Sequence, residues 1–135
     1  MGKATGLRRG PQMMRLADRH EIAVGVYSVR LIPEGPMPHV VPGTFLDLLP
    51  GGVHVLRRPL SIADADDEGY TLIFRVVGKG TDKLSVEPIG AEIDVLGPLG
   101  RGFDLDAVQP GGRALLIGGG AVSYTHLTLP TSDLV

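Results

Sequence analysis

The chain has 135 residues, a formal net charge of -2 and a sequence pI near 6.0. That length fits one domain with a modest core, and that charge gives no electrostatic footprint for nucleic acid or an anionic membrane. Cysteine is absent, which excludes a disulfide framework, a thiolate metal site and a Cys-ligated iron–sulfur cluster within this sequence.

No apolar run is long enough to span a bilayer, and no signal-peptide core follows the first basic residues, so a cytoplasmic protein without a membrane or nucleic-acid partner is expected. Lys3, Arg8 and Arg9 lie in a Gly-rich segment, and residues 1–11 read as a flexible, solubilising N-terminus. The 20 glycines and 11 prolines punctuate short apolar runs without a fixed period, while 43% hydrophobic residues can support a core. With few aromatics and many β-branched residues, this pattern predicts short strands joined by turns.

In chain order, residues 12–17 predict a first strand and residues 18–21 (Asp-Arg-His-Glu) a polar turn. Residues 22–32 predict a second strand, rich in Val and Ile. Residues 33–42 hold four prolines and a glycine and predict a loop. Strands follow over 44–49 and 70–77; between them residues 53–63 hold the Arg-Arg-Pro segment and then a short extended run, with an acidic turn at 64–69. Gly78-Lys79-Gly80-Thr81 predicts a glycine loop in which Thr81 caps a short helix through Ser85. A strand over 92–96 leads to a turn-rich stretch at 97–102. Residues 113–117 then form an apolar run into Gly118-Gly119-Gly120, as a buried parallel strand runs into a nucleotide-binding turn. This order predicts a mainly β protein, a small antiparallel barrel followed by the start of an α/β domain.

A flavin site needs hydrogen bonds to the ring edge, a rigid strand against the ring face and donors for the pyrophosphate. Residues 58–61 offer all three. Alternation puts Arg58 and Leu60 on one face and Pro59 and Ser61 on the other. The planar fork of Arg58 suits phosphate, Ser61 brings a hydroxyl or backbone donor toward the flavin N5 region, and Pro59 fixes the backbone. Read alone, Arg-x-x-Ser also describes an edge strand with a surface arginine.

The strand containing Ile73, Phe74 and Arg75 leads to Gly78-Lys79-Gly80-Thr81, where exposed N–H groups and a helix N-terminus make an anion site. This is not a Walker loop, which needs a glycine four residues before Gly-Lys and a Ser or Thr directly after the Lys. A capped turn without a ligand is the alternative. Gly118, Gly119 and Gly120 resemble part of a dinucleotide turn, but no helix or acidic residue follows at Rossmann spacing. The four histidines are scattered without metal-ligand spacing, and the Asp64–Glu68 acidic run lacks the glycine and distal Glu of a calcium loop. No metal site is expected.

Five segments in order then carry a resemblance: Pro42-Gly43-Thr44-Phe45-Leu46, Arg57 through Asp64, Ile73 through Thr81, Asp94 through Gly100, and Leu115 through Gly120. From residue 12 to about residue 121, the chain is similar to the electron-transfer subunits of NAD-dependent dihydroorotate dehydrogenase, which are ferredoxin-reductase-like flavoproteins. The resemblance implies a six-stranded antiparallel FAD-binding barrel over 12–110 and the first strand of an NAD-binding α/β domain over 111–121. A cysteine-rich [2Fe-2S] segment would follow. By position, it assigns FAD contacts to Arg58, Pro59, Leu60, Ser61, Ile73, Phe74, Arg75, Gly80 and Thr81, and a partial NAD turn to Gly118, Gly119 and Gly120. It also implies a partner, the catalytic subunit that oxidises dihydroorotate to orotate in pyrimidine synthesis.

The flavin subunits of NADPH-dependent ferredoxin oxidoreductases and sulfide dehydrogenases are the near alternative. They more often read Arg-Ile-Pro-Leu-Thr at the flavin strand, so Arg-Arg-Pro-Leu-Ser favours the dihydroorotate branch. A non-catalytic β-barrel that binds a protein partner is the alternative from another class. Thr44 stands where the family usually has Gln.

After Gly120 the family continues with Val- or Ala-Gly-Val and a helix that closes the NAD site. Residues 122–135 here instead resemble a translated transposase-type sequencing-library adapter. The expectation is a truncated copy with an adapter-derived tail, inactive alone as an electron carrier.

Overall fold

The computed structural model describes residues 10–51 and 56–117. Six strands close into an antiparallel barrel in the order β1-β2-β5-β4-β3-β6. They are β1 (Gln12–Ala23), β2 (Val26–Pro33), β3 (Phe45–Leu49), β4 (Arg58–Ala65), β5 (Tyr70–Arg75) and β6 (Glu92–Leu99). Closure gives every strand two neighbours. The alternation read from the sequence is the cause. In β2, Val29, Leu31 and Pro33 are buried while Ser28, Arg30 and Ile32 are not, and β3 and β6 repeat the period-two pattern. The inward side chains form one core of Met14, Leu16, Val29, Leu31, Leu46, Leu48, Ile62, Tyr70, Leu72, Phe74, Leu84, Ile93 and Val95. Each large aliphatic there contributes about 1.5–3 kcal/mol by leaving water.

Helix α1 (Lys79–Val86) follows β5, and Leu84, 1% exposed, anchors it in the barrel core. The connection from β2 to β3 is long because these strands are not neighbours. It must pass β5 and β4 to reach the far side of β4, and this carries residues 37–42 against the C-terminal half of β4.

Four local expectations are corrected. Residues 18–21 are not a turn. They continue β1 and pair with Arg30 back to Tyr27, because a polar run can extend a hairpin whose tip stands in water. The turn comes at Val24-Gly25, where Gly25 adopts a φ of 74° that side chains with a Cβ disfavour. The helix begins at Lys79, with Gly78 as its N-cap, three residues before the expected start. Strand β6 runs on to Leu99, through residues expected to turn. Residues 113–117 form no regular strand among the described residues. Only Ala114 makes an isolated bridge, and Leu115 and Ile117 are 76% and 87% exposed. An apolar run becomes a strand only when neighbours complete its ladder. The expectations at residues 1–9, Gly118, Gly119, Gly120 and 122–135 lie outside the described residues.

Candidate functional site: a strand and a helix N-terminus meet

Opposed residues of an antiparallel pair share a face. Leu60 faces Leu46 and Arg58 faces Leu48, both fully buried core residues, so Arg58 and Leu60 take the inward side of β4. Pro59 and Ser61 face Asp47 and Phe45 on the outer side. In the neighbouring strand β5, Leu72 and Phe74 belong to the core, which leaves Ile73 and Arg75 outward. Pro59, Ser61, Ile73 and Arg75 thus share the outer face of two adjacent strands. Beneath them Ala63, Ile73 and Val26 form a second apolar cluster, separate from the barrel interior.

Arg58 is the first residue of β4, so its inward side chain emerges at the barrel mouth, where it is exposed. It lies against Gly80 in the first turn of α1. A Cβ on Gly80 would meet Arg58 Nε at 2.7 Å and Cγ at 2.8 Å, closer than real contacts allow. Two segments that are 22 positions apart in sequence numbering (58 and 80) are therefore in contact, and glycine is what permits it.

The first helical hydrogen bond runs from Asp82 N to Gly78 O, at 2.9 Å. The N–H groups of Lys79, Gly80 and Thr81 precede it and have no intrahelical acceptor. The positive end of the helix and the Arg58 guanidinium lie beside them.

Thr81 plays a part that differs from a cap. At the third helical position, its hydroxyl accepts from Val77 N at 2.9 Å and Gly78 N at 3.2 Å and donates to Gly78 O at 3.2 Å. The side chain is buried and spends its bonds on shaping the glycine loop. Phe74 is likewise turned inward. Its ring stacks on Tyr27, centroids 5.8 Å apart with a 23° tilt, so only its backbone faces the outer surface. Leu60 packs against the core in the same way.

Sequence reasoning missed two features. One is Arg57, half-buried, whose Nη1 donates to Asp47 O at 3.1 Å and whose Nη2 pairs with Asp94 Oδ1 at 2.6 Å. The other is a cavity of about 470 Å³ between Met37, Pro38, His39, Val40 and Pro42 and the end of β4 from Ile62 onward. Of the candidate ligand residues none lines it. The cavity lies past Ser61 along β4, beyond the Arg58–Gly80 contact, and no single motif announces a space made by a crossing loop.

The acidic turn has a structural role. Asp66 accepts from Arg30, from Glu68 N at 2.8 Å and from Gly69 N at 3.0 Å. The Arg30 hydrogen bond, then the two backbone donors, hold its carboxyl down at about 2. Among the described residues, no group of three His, Cys, Asp or Glu could hold a metal ion, and no helix is long and apolar enough to cross a membrane.

No protein-family model matches the chain. Among curated proteins, it is 39% identical over 113 residues to the dihydroorotate dehydrogenase B (NAD(+)) electron transfer subunit of Lysinibacillus sphaericus, covering 81% of this chain and 44% of that protein. The Enterococcus faecalis subunit of the same name is 36% identical over 117 residues, 84% of this chain and 44% of that one. The chain thus spans less than half the length of the curated relatives it matches. Among solved structures, an Amycolatopsis cytochrome P450 reductase is 25% identical with a TM-score of 0.73, over 86% of this chain and 37% of that chain. Phthalate dioxygenase reductase, 20% identical with a TM-score of 0.72 over 86% of this chain and 37% of that chain, shares the fold. The barrel is that of the ferredoxin-reductase-like flavoproteins.

Proposed function

We propose, on the premise that the chain is a homologue of the electron transfer subunits of NAD-dependent dihydroorotate dehydrogenase B, that residues 12–110 are an FAD-binding unit. The contact between Arg58 and Gly80 is the observation that carries this reading. It brings the strand suited to a flavin and the helix terminus suited to a pyrophosphate into one site.

The residues fit FAD in kind. The N–H groups of Lys79, Gly80 and Thr81 and the guanidinium of Arg58 take the pyrophosphate. Pro59 and Ser61, with Ile73 and Arg75 on the next strand, give a flat outer face with a hydroxyl for the ring edge. Bound flavin supplies two-electron and one-electron chemistry between a nicotinamide and a one-electron acceptor. The chain's own part is to bind and orient: β4 and β5 form the rigid wall, and α1 neutralises phosphate charge.

In the whole protein, electrons would pass between NAD and a dihydroorotate-oxidising catalytic subunit in pyrimidine biosynthesis, through FAD and a [2Fe-2S] cluster, in the cytoplasm. The cluster does not fit this sequence, which has no cysteine. The NAD turn assigned to Gly118, Gly119 and Gly120 lies outside the described residues.

The test is the colour and flavin content of the purified chain. A yellow protein that releases FAD on denaturation supports the reading. A folded, colourless protein that takes up no added FAD supports a non-catalytic barrel instead.

A further inference from the structure

Arg57 immediately precedes β4, and its Nη1 donates to the Asp47 carbonyl of β3 at 3.1 Å. The second arm of the same guanidinium pairs with Asp94 of β6 at 2.6 Å, with the two side chains 27% and 33% exposed. One side chain thus ties the start of β4 to its neighbour β3 and to the strand beyond it.

We propose that Arg57 is a positioning residue: its bonds to β3 and β6 hold the first residues of β4 where Arg58 meets Gly80. The ladder between β3 and β4 ends at the pair Leu48–Arg58, so Arg58 stands at its last rung. A terminal rung frays unless something beyond it is fixed, and the bonds of Arg57, immediately upstream, are that fixture. Its planar fork serves both acceptors at once, a geometry a lysine ammonium cannot reproduce. The proposal rests on the reading of Arg58 and Gly80 as a phosphate cradle.

The experiment titrates flavin-free, full-length chain with FAD, FMN and riboflavin, followed by flavin fluorescence, beside thermal melts of the same flavin-free proteins. The variants are Arg57→Met, Arg57→Lys and Asp94→Asn. Arg57→Met should weaken FAD and FMN by about tenfold, the scale of a misplaced charge-assisted hydrogen bond, and leave riboflavin unchanged because it has no phosphate for Arg58 to hold. Arg57→Lys should fall between wild type and Arg57→Met. If Arg57→Met does not fold, Asp94→Asn, which frees one arm of the fork, should show a smaller loss with the same preference for phosphate-bearing flavins. Unchanged FAD affinity in Arg57→Met and Asp94→Asn, or an equal loss for riboflavin, overturns the proposal. Failure of wild type to bind any of the three flavins overturns the flavin reading itself, and this proposal with it.

Discussion

Arg58 of β4 lies against Gly80 of α1 so closely that a single added methyl group on the glycine would stand 2.7 Å from Arg58 Nε. The proposed phosphate site is therefore sensitive to a substitution that a helix would ordinarily welcome. Gly80→Ala improves helix propensity by up to about 1 kcal/mol. The atoms in its way belong to a long flexible side chain, which can swing aside. The expected outcome is a melting temperature close to wild type, with FAD affinity lowered about tenfold as Arg58 leaves its position. A melt and a flavin titration on one preparation check this, and undiminished affinity would show that the contact is incidental.

Tyr70 is fully buried in the core, and its hydroxyl finds no hydrogen-bond partner among the described residues. Burial pushes its ionisation up to about 12. An unmet buried hydroxyl costs about 1–3 kcal/mol, so Tyr70→Phe should be neutral or stabilising by about 1 kcal/mol. That corresponds to a rise of a few degrees in melting temperature, about 4 °C for a domain of this size. A fall of several degrees would mean that the hydroxyl is bonded after all.

Acid should loosen the turn between β4 and β5 through Asp66. Its carboxyl is held from the usual 3.8 down to about 2, chiefly by Arg30, so the native state binds the proton less readily than the unfolded chain. The stabilisation is complete above the unfolded value and disappears as pH falls through about 2. Melting temperatures of wild type should drop more steeply across that window than those of Asp66→Asn. Parallel curves would remove Asp66 from the account.

The sequence made the barrel strands legible wherever one face is buried, since alternation survives in β2, β3 and β6 without knowledge of partners. It was misleading where water does the sorting. Residues 18–21 are polar because the β1–β2 hairpin projects from the barrel, and polarity alone is shared by turns and exposed strands. The helix start was misplaced because Thr81 bonds backward to Val77 and Gly78, which mimics an N-cap from two residues inside the helix.

At the site, alternation correctly separated Arg58 and Leu60 from Pro59 and Ser61. It could not show that Arg58 reaches Gly80, since that depends on where α1 docks. Arg57 escaped notice for a related reason: its carboxylate partner, Asp94, is 37 residues away. The cavity beneath residues 37–42 exists only because the β2–β3 connection crosses two strands.

The central claim is that Arg58 and the N-terminus of α1 hold the phosphates of FAD, and a titration of FAD into the flavin-free chain, wild type against Arg58→Ala, tests it most directly. Saturable one-to-one binding by wild type, weakened by at least about tenfold in a folded Arg58→Ala protein, is the predicted result. Equal affinity in the two proteins, or no saturable binding by a folded wild type, would contradict it.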